Sequence, residues 1–246
     1  MREPKKTVEN QWDEIFKLYS LNNRDFAGFP FNVLSNFKDL DFLEAGCGDG
    51  EIAIFMATDQ NCKVTALDIS DRFLELTKSK IISRDVKNIK TIKGDVRKMP
   101  FKAGTFDLIF SGGVIEHFEE SIISLKEHTR VLKTNGHLLI GVPSKYGMHY
   151  SLKIIMSLLK IWDIGYEKSF GIKEFQEILK NENLEIQEKY YIPIRASENQ
   201  KFIRKIITKF ISVLDRSIVP FLRILETFSN FVPDGRNCHF RTPGPS

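Results

Sequence analysis

Short apolar runs rich in β-branched and aromatic residues recur along the chain at 41–45, 63–67, 89–93, 106–111 and 136–142. Between them, at 50–59, 71–83 and 119–132, apolar residues return every three or four positions. That is the period of a helix with one buried face. Strand and helix in repeated alternation predict a parallel sheet covered on both faces, because a parallel pair needs a long crossover. Residues 7–37 read as helical, amphipathic at Trp12, Ile15, Phe16 and Tyr19, with a break at Pro30. After Pro143 the texture changes: 150–162 and 172–180 read as helices, Asn181-Glu-Asn as a stop, and 184–193 as a strand. Residues 199–231 form a long amphipathic, aromatic and basic segment interrupted by Pro220, ahead of a short strand at Cys238-His-Phe-Arg-Thr. The expected architecture is α/β: a doubly wound, mostly parallel seven-stranded sheet with helices on both faces and a helical insertion near the C-terminus. Three regions follow: a helical cap at 1–37, a core at 38–145, and 146–246, which completes the sheet and carries the insertion at about 199–231.

The chemistry concentrates where strands end. Phe42-Leu-Glu-Ala-Gly-Cys-Gly-Asp-Gly50 runs an apolar strand into three alternating glycines. Glycine tolerates the backbone angles of a sharp turn and keeps no side chain between the backbone and a ligand. A strand, such a turn and a helix start make a nucleotide cradle in an open α/β sheet. Val64-Thr-Ala-Leu-Asp68 then ends a buried-looking strand in a carboxylate, placed to accept both hydroxyls of a ribose. A solvated Asp68 beside a helix start is the plainer alternative. A dinucleotide oxidoreductase would place its third glycine three residues after the second, and Glu51 stands there instead. Glu44, just before the turn, suits a ligand with a positive amino group. Asp95 closes the third strand, where it could accept from an exocyclic amine. The strand through Phe110 ends in Ser111-Gly-Gly, small residues that let the backbone approach a ligand.

In this order the motifs resemble the class I S-adenosylmethionine-dependent methyltransferases, over about residues 40–145. The nearest group is typified by the small-molecule methyltransferases of ubiquinone and menaquinone biosynthesis, through Met99-Pro-Phe101 and Glu116-His117. The resemblance implies a Rossmann-like core at 38–145 with S-adenosylmethionine as cofactor. Glu44 and the backbone of Gly46, Cys47 and Gly48 would hold its methionine part. Asp68 would hold the ribose, with Ile69 flanking the adenine. Asp95 and Val96 would hold the adenine amine and ring edge, and the backbone near Ser111 would run beside the sulfonium.

Transfer of an activated methyl needs alignment above all, and a base only when the nucleophile carries a proton. His117 is the candidate base, since an unperturbed imidazole titrates near ~6.5. A histidine that only bonds a loop backbone is the alternative. Glu116 either orients His117 or is solvated. Some relatives complete a divalent metal site with such a pair and a further acid; the matching position here is Gly113, so no metal is expected. His149, Tyr146, Tyr150 and Tyr166 lie in the variable region where acceptors of such enzymes dock, and packing explains each as well. Cys47 reads as a small filler of the turn, lacking an activating base.

Composition narrows the partner. The net charge of +4 is mild, and no Asn/Asp-Pro-Pro-aromatic run follows the fourth strand, so nucleic acid is disfavoured. Three cysteines without metal-ligand spacing, and no signal-peptide pattern, lead to the expectation of a cytoplasmic protein. Segment 199–231, with Lys201, Arg204, Lys205 and Lys209 along its polar side, reads either as a lid over the site or as a helix on an anionic membrane surface. Both favour a small hydrophobic or lipid-linked acceptor. Its identity, the atom methylated and the oligomeric state are not legible. The rival readings are a methyltransferase of RNA or protein, an aminopropyl transferase, a nicotinamide oxidoreductase and a non-catalytic cofactor-binding scaffold.

Overall fold

A computed structural model describes residues 30–158, 165–190 and 239–241. The expected helices before residue 30 and the insertion at 199–231 lie outside the described residues. A short helix α1 (Phe31–Leu34) leads into β1 (Asp41–Ala45), α2 (Glu51–Thr58), β2 (Lys63–Asp68), α3 (Asp71–Ser83) and β3 (Ile89–Lys93). Then come β4 (Phe106–Gly112), a 3₁₀ turn (Ile115–His117), α4 (Ser121–Val131), β5 (Leu132–Gly141), α5 (Met148–Leu158), α6 (Ile172–Asn181), β6 (Glu185–Glu188) and β7 (His239–Arg241).

The strands lie in the order β3-β2-β1-β4-β5-β7-β6. The first five are parallel, and the short β7 pairs antiparallel with both β5 and β6. Alternation along the parallel strands feeds two cores. Phe42, Val64, Leu108 and Leu139 pack under α2, whereas Leu43, Leu67, Ile109 and Leu138 face α4 and α6. This is why the central strands read as nearly continuous apolar runs. Asn88 joins the layers, its amide donating to the carbonyls of Ala57 at 2.9 Å and Cys62 at 2.8 Å.

Two boundaries differ from the expectation. β5 begins at Leu132 rather than at Gly136, and its register against β4 shifts between Phe106 and Leu108. The extra residues form a bulge in which Asn135, not Gly136, takes the left-handed backbone (φ 62°). Gly136 is required for space: a Cβ there would lie 2.8 Å from the Leu132 side chain and the Lys133 carbonyl. β6 is four residues long, shorter than the 184–193 run suggested, and Glu185, Gln187 and Glu188 within it are exposed.

His128 on α4 is fully buried, its Nδ1–H donating to the Ser124 carbonyl at 2.6 Å while Nε2 has no partner. Burial holds its pKa down at about 4, from the usual 6.5. The unfolded chain therefore takes up this proton first, and up to about 3 kcal/mol of stability is lost as pH falls from 6.5 to about 4. Urea unfolding of the native chain and of His128→Gln at pH 7 and pH ~4.5 should show that part of the acid sensitivity missing from the variant. In the core, Phe42→Ala should cost about 3–5 kcal/mol in the same assay.

Candidate active site

Strand order reverses between β1 and β4, and at such a switch point the carboxyl ends of the strands leave a crevice. The glycine turn sits there. Gly46, Gly48 and Gly50 all have positive φ (82°, 51° and 73°), which L side chains rarely adopt. The turn is braced from three sides. Gly46 and Cys47 donate their amides to the Leu67 carbonyl at 2.8 and 2.9 Å. The Thr77 hydroxyl of α3 donates to the Gly48 carbonyl at 2.8 Å. Glu44 accepts the Ala53 amide hydrogen, in the first turn of α2, at 2.8 Å.

Asp68 completes the brace. Its Oδ2 accepts from the Gly48 amide at 2.8 Å and its Oδ1 from the Ser70 amide at 2.9 Å. The Ile69 amide faces the same carboxylate, so three donors meet the four lone-pair sites of its two oxygens. Burial raises its pKa, and the amides pull the other way. The plainer alternative of a solvated Asp68 fails, since only 7% of the residue is exposed, and Ser70 caps α3 instead. Gly94 donates to the Asp68 carbonyl at 2.9 Å, which sets Asp95 at the neighbouring strand end.

Other candidates are more occupied than their sequence positions suggested. Arg97 grips both carboxylate oxygens of Asp95 from two residues away, so the acid stays below its usual range although burial opposes this. The same guanidinium lies 4.6 Å over the Phe118 ring. Glu44 is buried, which raises its pKa well above normal, and one oxygen serves the backbone of α2. Cys47 is buried and its thiol is pushed up, first by burial and then by Asp68 and Glu44, consistent with a filler. Ser111 turns its hydroxyl to the Ala45 carbonyl at 3.0 Å, binding β4 to β1. Val96 is buried in the core beside Met99, while Ile69 is half-buried beside Asp68.

His117 ends the 3₁₀ turn after β4, its Nδ1 3.0 Å from the Tyr166 carbonyl. A carbonyl only accepts, so Nδ1 carries the proton and the basic lone pair is on Nε2. Glu116 is not solvated: it is 2% exposed, its Oε2 has no partner, and burial raises its pKa to about 8. Tyr146 is largely exposed and Tyr166 contributes its carbonyl; the His149 side chain lies outside the described residues. The sequence reading did not single out Thr77, Arg97, Lys153 or Glu167. Only Arg97, at turn spacing from Asp95, carried a local signal. No group of three or more metal-ligating side chains occurs among the described residues.

Comparison with known proteins fits this geometry. Residues 43–140 match the profile of a methyltransferase domain. That stretch is similar to the class I S-adenosylmethionine-dependent methyltransferase domains. A demethylmenaquinone methyltransferase of Staphylococcus aureus is 35% identical over 104 residues, 42% of this chain and 42% of its own length. The aligned stretch is thus less than half of that relative. The corresponding protein of Lactococcus lactis is 25% identical over 184 residues, 71% of each chain. Phospholethanolamine N-methyltransferase 2 of Haemonchus contortus, solved with phosphomonomethylethanolamine and S-adenosylhomocysteine, has the same fold. Its TM-score is 0.68 at 17% identity, covering 98% of this chain and 62% of that one.

Methyltransferases of this family take S-adenosylmethionine as their cofactor, and the glycine turn here differs in free space from one glycine to the next. Among the described residues, a Cβ on Gly48 would come within 4 Å of the Phe73 ring alone, at 4.0 Å, whereas one on Gly46 would lie 2.4 Å from Val114. Gly46 is needed for packing and Gly48 opens the cradle. Gly46→Ala should therefore cost about 2–5 kcal/mol in urea unfolding, from overpacking and left-handed strain together. Gly48→Ala should cost only about 1–2 kcal/mol, with a disproportionate loss of S-adenosylhomocysteine binding by calorimetry.

Proposed function

We propose that this protein transfers a methyl group from S-adenosylmethionine to a small apolar acceptor bearing an ionisable hydroxyl, such as the reduced form of a demethylmenaquinone-type quinone. The observation that carries the cofactor half is the Asp68 carboxylate, buried at the tip of β2 beside the glycine turn and held by backbone amides that do not exhaust its lone pairs. A ribose hydroxyl would take up what they leave. The relatives named for demethylmenaquinone support the acceptor class. So does α5, which leaves Ile154, Ile155 and Leu158 exposed on the chain that follows β5. No helix among the described residues is long and apolar enough to cross a membrane.

When bound, S-adenosylmethionine supplies a methyl group already activated on a sulfonium sulfur. The protein's task is then alignment. In this reading the Gly46–Gly48 backbone supports the methionine part, Glu44 stabilises the turn from behind, and Asp95, Ile69 and Val96 border the adenine. Arg97 already engages both Asp95 oxygens, so an adenine amine would share a lone pair there rather than meet a bare carboxylate. Ser111 holds β4 against β1 beside the sulfonium position. His117, with its lone pair on Nε2, takes the hydroxyl proton as the acceptor attacks.

Calorimetry with S-adenosylmethionine, S-adenosylhomocysteine and a nicotinamide dinucleotide tests the cofactor half. Both sulfur ligands should bind, the dinucleotide should not, and Asp68→Ala should abolish binding. Preference for the dinucleotide would overturn the reading. Affinity should also fall in acid, starting at higher pH than for an ordinary carboxylate, because Asp68 is raised and its proton would occupy a lone pair. For an acceptor that loses a proton, His117→Ala should lower kcat about 10²–10⁴-fold while S-adenosylhomocysteine affinity stays within about twofold of native.

A further inference from the structure

One stripe of α3 follows the glycine turn residue by residue. Phe73, Thr77, Lys80 and its C-cap Arg84 stand three or four positions apart, so they share a face of the helix. The Phe73 ring lies 4.0 Å from where a Cβ on Gly48 would be. Lys80 reaches the carboxylates of Asp49 at 2.7 Å and Glu51 at 2.8 Å, and Arg84 takes both Glu51 oxygens at 2.8 and 2.9 Å. Between them Thr77, completely buried, donates its hydroxyl hydrogen to the Gly48 carbonyl at 2.8 Å. Its γ-methyl lies 2.4 Å from where a Cβ on Gly50 would be, and the Cys47 thiol faces the same hydroxyl.

The bond to Gly48 fixes more than a carbonyl. A trans peptide is planar with its N–H opposite its C=O, so a Gly48 carbonyl aimed at α3 sends the Asp49 N–H the other way. That amide has no hydrogen-bond partner among the described residues. The Gly48–Asp49 peptide is the middle unit of a turn that the Gly50 amide closes on the Cys47 carbonyl at 2.9 Å. There φ is positive at Gly48 (51°) and not at Asp49. A middle peptide of this kind can rotate with the turn still closed, because glycine accepts both signs of φ and aspartate tolerates the left-handed region. The short bond that holds its carbonyl comes from Thr77; the Cys47 sulfur stands 3.9 Å from the same oxygen.

We propose that Thr77 is a positioning residue for the cofactor. By holding the Gly48–Asp49 peptide in one plane, it points the Asp49 N–H away from α3 as a ready donor to an acceptor on the ligand, such as the methionine carboxylate. A donor fixed before binding loses less freedom on binding than one that must first be ordered. The inference rests on the reading of the glycine turn as the seat of the methionine part.

Two variants separate the hydroxyl from the packing. Thr77→Val keeps the branched shape beside Gly50 and drops the hydroxyl; Thr77→Ser keeps the hydroxyl and drops the methyl. In calorimetry with S-adenosylhomocysteine, Thr77→Val should bind about 3–10-fold more weakly than the native chain, and Thr77→Ser within about twofold of it, as the loss or retention of one hydrogen bond requires. In the unliganded full chain, NMR-detected amide exchange at Gly50, corrected for global stability, should quicken in Thr77→Val and stay native-like in Thr77→Ser. Native affinity in Thr77→Val overturns the proposal, as does unchanged exchange at Gly50 in that variant. Thr77→Ser binding as weakly as Thr77→Val also overturns it, by assigning the effect to packing. A native chain that binds no S-adenosylhomocysteine overturns the cofactor reading itself, and the proposal with it.

Discussion

Asp68 accepts the Gly48 amide hydrogen with one oxygen and the Ser70 amide hydrogen with the other, and the carboxyl edge of the sheet is organised around those two bonds. The first ties the glycine turn to the tip of β2; the second helps start α3. The turn cannot hold itself, because alternating residues at positive φ make no regular ladder and must borrow partners from Leu67, Thr77 and Asp68. A rigid, braced backbone with one open side is what a ligand-binding turn needs. Gly48 has that open side, and Gly46 is closed off by Val114 from the loop after β4.

Buried acids recur along this edge, and each is handled differently. Glu44 is spent on the backbone of α2, Asp95 is neutralised by Arg97, and Asp68 is held by uncharged backbone amides. Glu116 has no hydrogen bond at Oε2, and burial raises its pKa to about 8. The division follows from burial: a carboxylate out of water must find donors, a cation or a proton. Asp68, whose donors are backbone amides with no charge to cancel it, is left with the capacity to bind.

Much of the core was legible. β1, β3 and α3 fall where the apolar periods placed them, since each is bounded by turn residues. β5 was less legible because a bulge can hide inside a strand: Asn135 and Gly136 read as a turn, yet the chain pairs with β4 on both sides of them. The candidate site was legible as a set of strand ends, but the state of each side chain was not. Glu116 next to His117 gives no local sign of burial, because the segment bonded to its carbonyl, at Lys168, lies far along the chain. Tyr166, which decides the tautomer of His117, is equally remote.

Sequence alone determined the alternation of strands and helices, the glycine turn and the acid at the end of β2. These are local: a backbone that needs positive φ asks for glycine, and a strand buried on both faces asks for continuous apolar residues. Only the tertiary structure decided which acids stay available, which nitrogen of His117 carries the proton, and that Glu116 is enclosed rather than solvated. Those properties depend on partners brought together across the sheet, and on how much water the packing removes, which no neighbouring residue encodes.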